Sequence, residues 1–88
     1  MPKITRIDND TFDVTIAAAI ETTHRVTVDD DYYEKLTKGR VEKEKLLQEA
    51  FKFLLNRESN SSILSQFTLQ TIEQYFPDFP REMRNRFR

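Results

Sequence analysis

Between Thr11 and Ile20 every second residue is apolar or small: Phe12, Val14, Ile16, Ala18 and Ile20 alternate with Thr11, Asp13, Thr15, Ala17 and Ala19. A two-residue period matches a strand with one buried face, so the even positions are expected to point inward. His24, Val26 and Val28 repeat the pattern against Thr23, Arg25 and Thr27 and predict a second strand. The chain must turn at about residues 19–22, and without an Asn-Gly or Asp-Gly pair a loose loop is expected there. Ile4 and Ile7, ahead of the turn signal Asp8-Asn9-Asp10, predict a short N-terminal strand.

After residue 29 the period changes. Asp29, Asp30 and Asp31 can cap the free N–H groups of a first helical turn and meet the positive end of its dipole. A short helix over 30–38 carries Tyr32, Tyr33 and Leu36, with Gly39 as its left-handed C-cap. From about residue 42 to residue 57, Leu46, Leu47, Ala50, Phe51, Leu54 and Leu55 fall at spacings of three and four and define one apolar face, with Phe53 at its edge. Burying that face contributes on the order of 10 kcal/mol of gross transfer energy. Chain entropy offsets most of this gain. Glu58 to Ser62 reads as a polar loop, and Thr68 as the cap of a third helix over 69–76. Pro77 stops that helix, because proline lacks an N–H and its ring clashes with the preceding turn. Asp78 and Pro80 open a last helix on which Met83 and Phe87 share a face. The expectation is a single α+β domain over 1–88: an antiparallel β-hairpin or meander at about 3–28, packed by three to four helices at about 30–87.

Composition narrows the function. With 88 residues and no cysteine, neither disulfides nor thiolate-held metal can supplement a small core. The first twenty residues lack a basic segment followed by a long apolar run, and no apolar stretch approaches the ~20 residues of a membrane helix. A cytoplasmic protein without a membrane span is expected. A net charge of −1, with 33% of residues charged, lacks the basic excess of a dedicated nucleic-acid binder. The charge is uneven, because Arg81, Arg84, Arg86 and Arg88 stand against Glu82 alone, leaving an excess of +3 over residues 81–88. These four, together with Arg25, are the candidate contacts for phosphates or an acidic surface. The plainer reading is a solvated helix end, where arginine meets the negative pole of the dipole.

Catalytic signals are weak. The only histidine, His24, falls at an inward strand position, where a packed and hydrogen-bonded role is commoner than a chemical one. Asp8, Asp10 and Asp13 start like a calcium loop, but Phe12 occupies a ligand position and the mid-loop glycine and terminal glutamate are missing. No catalytic residue, metal ligand or cofactor is assigned. The aromatic residues near the C-terminus, Phe67, Tyr75, Phe76 and Phe79, are core by default. Their density in so small a chain raises a second reading, that Tyr75, Phe76 and Phe79 form a contact for another protein or a second copy of this one.

The runs Tyr33-Glu-Lys-Leu-Thr-Lys-Gly-Arg, Leu46-Leu-Gln-Glu-Ala-Phe-Lys-Phe-Leu-Leu-Asn-Arg-Glu, Ser62-Ile-Leu and Tyr75-Phe-Pro-Asp resemble a family of small bacterial proteins without assigned function. That family brings no catalytic residues. Arg25-Val-Thr-Val, then Gly39-Arg40 with Leu46, Leu47, Ala50 and Leu54, is similar in part to ribbon-helix-helix regulators. This second resemblance implies a dimer whose strands present Thr23, Arg25 and Thr27 to a DNA groove. The first helix is short for that family and an extra strand precedes the matching one. The leading expectation is a non-enzymatic protein–protein interaction or regulatory module, with a nucleic-acid-binding regulator as the alternative.

Overall fold

A computed structural model describes residues 2–88. Three antiparallel strands come first: β1 (Lys3–Arg6), β2 (Thr11–Ile16) and β3 (Thr22–Thr27). Helices α1 (Asp30–Thr37) and α2 (Lys43–Leu55) follow. The chain then returns as a fourth strand, β4 (Gln66–Thr68), which pairs parallel to β3. A parallel neighbour cannot be reached by a tight turn, so α1 and α2 serve as the crossover between the two strands. Sheet order is β1-β2-β3-β4. A 3-10 turn at Leu69–Thr71 runs into a single helical turn, α3 (Ile72–Tyr75), and α4 (Phe79–Arg86) closes the fold.

The class is α+β with strands leading, as the periodicity predicts, but the sheet is mixed rather than a simple antiparallel meander. β4 lies inside the stretch read as helical. Strand β2 also ends earlier than its alternation suggests. Ile16 pairs with Thr22, and Ala17 to Glu21 form the exposed loop, so Ala18 and Ile20 point to solvent. Alternation alone does not bury a residue once pairing has stopped.

One face of the sheet is covered. Phe12, Val14, Ile16, His24 and Val26 point into the core, where Leu46, Leu47, Ala50, Phe51 and Leu54 of α2 meet them. The opposite side of α2 is covered too. Phe53 is fully buried, with edge-on rings of Phe76 and Phe79 at 5.9 Å and 5.2 Å and the Arg57 guanidinium 3.6 Å from its ring centroid. Phe53 is therefore a central core residue and not the rim of a stripe. Two layers, the sheet and the C-terminal helices, sandwich α2.

Charged groups tie these layers at their margins. Lys43, 7% exposed, donates its three ammonium hydrogens to Asn9 O (3.0 Å), Asp10 Oδ1 (2.9 Å) and Asp30 Oδ1 (2.7 Å). Burial works against its charge, but the hydrogen bonds to Asp30 and Asp10 outweigh it and raise its pKa above the ordinary value. The first turn of α2 is thereby fastened to the β1–β2 turn and to α1. At the end of α1 the left-handed cap is taken by Lys38, φ 56°, followed by Gly39, φ 70°.

Candidate functional site

The rings are better hidden than their number suggests. Of three tyrosines and seven phenylalanines, Tyr75 alone is mostly exposed, at 64%. Phe79 is fully buried against Phe53 at the base of α4, which removes it from the candidate contact. Phe76 is half-buried. The aromatic-rich segment is thus mainly core, because α4 folds back over α2 instead of standing free.

Two of the four large apolar residues that remain exposed lie together, while Ile7 (48% exposed) and Ile20 (67%) stand singly on the β1–β2 and β2–β3 turns. Leu64 (46% exposed) and Tyr75 border an apolar pocket of about 120 Å³ at the β4 edge of the sheet. Its walls are Leu54 from the end of α2, Ile63 and Leu64 before β4, Phe67 on β4, and Ile72 and Tyr75 on α3. Glu58 stands on the rim. Among the described residues its carboxylate takes part in no hydrogen bond or ion pair, while the adjacent Arg57 is held by Asp78 Oδ2 at 3.0 Å and the Phe53 carbonyl at 3.4 Å. Asp78, expected to cap α4, makes no side-chain cap bond; its carboxylate serves Arg57 instead.

A polar chain fixes the pocket wall. His24 is 2% exposed, and its Nδ1 lies 2.8 Å from the Leu64 carbonyl oxygen. A carbonyl can only accept, so Nδ1 carries the proton. In the neutral ring Nε2 accepts from the Thr22 hydroxyl at 2.8 Å. Thr22 Oγ1 in turn accepts from Asn60 Nδ2 at 2.8 Å, and that amide also donates to the Ile20 carbonyl at 2.8 Å. The buried histidine is a bracket that holds residues 60–64 to β3. Arg25 N–H, donating to Ser65 O at 2.8 Å, extends the attachment into β4.

The candidate arginines do not form one patch. Arg25 donates a bidentate pair of hydrogen bonds to Asp13, from Nε to Oδ1 at 2.8 Å and from Nη2 to Oδ2 at 3.0 Å. This hydrogen bond lowers the Asp13 pKa and raises that of Arg25. β3 has neighbours on both edges, β2 and β4, so it offers no free edge for a ribbon shared with a twin chain. Arg86 donates to the Glu49 carbonyl (2.9 Å) and Arg88 to Asn85 Oδ1 (2.6 Å). Arg81 and Arg84 are exposed and make no side-chain hydrogen bond or ion pair among the described residues.

The acidic residues are similarly committed. Asp8 Oδ1 accepts the backbone N–H groups of Asp10 and Thr11, both at 2.9 Å, and these bonds depress its pKa. Asp29 makes no side-chain cap bond; its Oδ2 accepts from Gln70 Nε2 at 2.6 Å. Asp10 and Asp30 serve Lys43. A wide polar groove runs past Asp29, Asp30, Asp31 and Lys35, but no cluster of three or more metal-ligating side chains occurs among the described residues.

Two pocket residues escaped the sequence reading. Glu58 sits in a segment that reads only as polar. Leu64 carried a usable signal: Ile63 and Leu64 are adjacent apolar residues on an extended segment, where successive side chains face opposite ways. One had to be exposed if the other was buried, and Ile63 is the buried one. No family model, curated protein or solved structure matches the chain. No helix among the described residues is long and apolar enough to cross a membrane.

Proposed function

We propose that this protein is a non-enzymatic interaction module of the cytoplasm and that its contact site is the apolar pocket at the β4 edge, with Tyr75 and Leu64 as its exposed anchors and Phe76 behind them. The observation that carries the reading is the pairing of these two large exposed apolar residues around one concave apolar surface, in a fold that hides its other rings at least in part. Concave apolar sites with a few polar groups at the rim are where partners dock. The partner is a protein, and a second copy of this chain is one such protein. The lack of cysteine fits a reducing compartment.

The double variant Leu64→Ser/Tyr75→Ser tests this. Tyr75 is 64% exposed and Leu64 46%, so each substitution should cost no more than ~0.5–1 kcal/mol. Circular dichroism and melting should stay close to wild type. Native-extract capture and solution mass, measured on wild type and variant together, should show an association that only the wild type keeps. A wild type that is monomeric and captures nothing that the variant loses would sink the reading.

A further inference from the structure

Resting on that reading, we infer that the pocket takes a single large apolar side chain from an extended, positively charged peptide segment, with Glu58 selecting the charge. Three observations converge on this occupant. The first is size. A pocket of about 120 Å³ has room for one ring or branched chain and not for a helix face. Cavities of ~150 Å³ hold a benzene ring.

The second is the strand edge. In the parallel pairing Arg25 lies opposite Gln66 and donates to Ser65 O, so Phe67 also faces β3 with its backbone groups. Gln66 therefore turns its N–H and C=O away from the sheet, as does the N–H of Thr68. No strand lies beyond β4. A peptide laid along this edge gains those main-chain bonds, and every second side chain falls on the Phe67 side, over the pocket.

The third is charge. Glu58 is the one carboxyl side chain on the rim, and among the described residues it makes no ion pair. A lysine or arginine next to the apolar anchor supplies one. A twofold contact between copies would instead present the same pocket lining from both sides, and that lining contains no cation for Glu58.

The test uses the full chain, isotopically labelled, and three acetylated seven-residue peptides. One has a central Phe with Lys on either side, one has Glu in place of both Lys, and one has Ala in place of Phe. The Lys–Phe–Lys peptide should shift the amide signals of Leu64, Gln66, Phe67 and Thr68. The Glu peptide should bind about fivefold more weakly or worse, the scale of an exposed ion pair. The Ala peptide should not bind. Glu58→Gln should bring the two charged peptides to within about twofold of each other while the Phe requirement persists. Equal binding of the Lys and Glu peptides to the wild type, at the same signals, would overturn the charge selection and leave the contact reading standing. Signals that move for no peptide would overturn this inference. The contact reading is then decided by the Leu64→Ser/Tyr75→Ser comparison.

Discussion

The sheet has two edges, and they are finished differently. At β1 the edge is closed with charge and polar bonds. Arg6 lies 4.9 Å from the Phe12 ring centroid and binds Glu44 through two hydrogen bonds of 3.0 Å and 2.9 Å, and Gln48 donates to the Pro2 carbonyl at 3.1 Å. Charged side chains on an edge strand discourage pairing with another chain. At β4 the strand is uncharged, three residues long, and bordered by Leu64, Tyr75 and an unpaired carboxylate. Two edges of one small sheet share the same core and the same α2, so scarcity of covering chain does not explain the difference. Ile7 and Ile20 are exposed singly on turns and line no pocket, whereas the concave apolar surface belongs to the β4 edge. That is why the functional reading rests on the β4 edge and not on the molecule's overall apolar content.

The largest effect expected separates the pocket's foundation from its rim. Phe79 lies fully buried behind the pocket, 5.2 Å from Phe53, whereas Tyr75 stands in solvent. Phe79→Ala should cost ~3–5 kcal/mol, the range for emptying a packed aromatic site. In a domain this small that loss approaches the whole stability. Thermal or urea unfolding measures it. A change in Phe79→Ala as small as that of Tyr75→Ser would mean that α4 is not a structural part of the β4 side.

A smaller effect tests whether the two edges are mechanically independent. His24 brackets residues 60–64 to β3, whereas β1 is tied to α2 by the separate bonds of Arg6 and Gln48. His24→Leu keeps the packing against Phe51 but leaves the Leu64 carbonyl and the Thr22–Asn60 pair without their partner. Buried groups orphaned in this way cost ~1–3 kcal/mol. Amide exchange should quicken at Arg25 and Phe67 while the β1–β2 pairing keeps its protection. A uniform rise across the sheet would refute the bracket and make the sheet one cooperative unit.

These two cases also show what could be read ahead of the fold. The face of α2 was legible because six residues share a 3.6-residue period, and five of the six are buried. Its second buried side was not, since Phe53 is covered by rings more than twenty positions later in the chain. β1 to β3 were legible because antiparallel neighbours carry their own turns and alternations. β4 was not: three residues cannot establish a period, and their partner lies about forty positions away across the crossover. The candidate contact was legible in part. Its location within the C-terminal segment and its Tyr75 survive in the proposed site, but Phe79 moved to the core and Leu64 and Glu58 took its place. Burial by a distant helix leaves no local trace in the sequence.

The smallest effect sharpens the β1 side. Arg6 hydrogen-bonds Glu44 and lowers its pKa below the ordinary 4.5. A carboxylate whose folded pKa lies below its unfolded value contributes stability above that unfolded value, and the contribution is lost as pH falls through the folded pKa. Asp8, Asp13 and Glu49 are depressed as well, Asp8 by backbone N–H bonds, Asp13 by Arg25, and Glu49 because Lys52 and Lys45 outweigh its burial. Stability should therefore fall on acidification below about pH 4.5. Arg6→Ala should lower the plateau near neutral pH slightly, because the pair is exposed, and flatten the acid limb. Wild-type and variant curves should converge in strong acid, where Glu44 is protonated in both. Melting temperatures between pH 2 and pH 7 measure this, and parallel curves would mean that the Arg6–Glu44 pair does not couple. Because no described residue pairs with the Glu58 side chain, Glu58→Gln should leave the melting temperature near neutral pH unchanged. That contrast between two glutamates at opposite edges is the cleanest way to show that one is committed to the fold and the other is left for a partner.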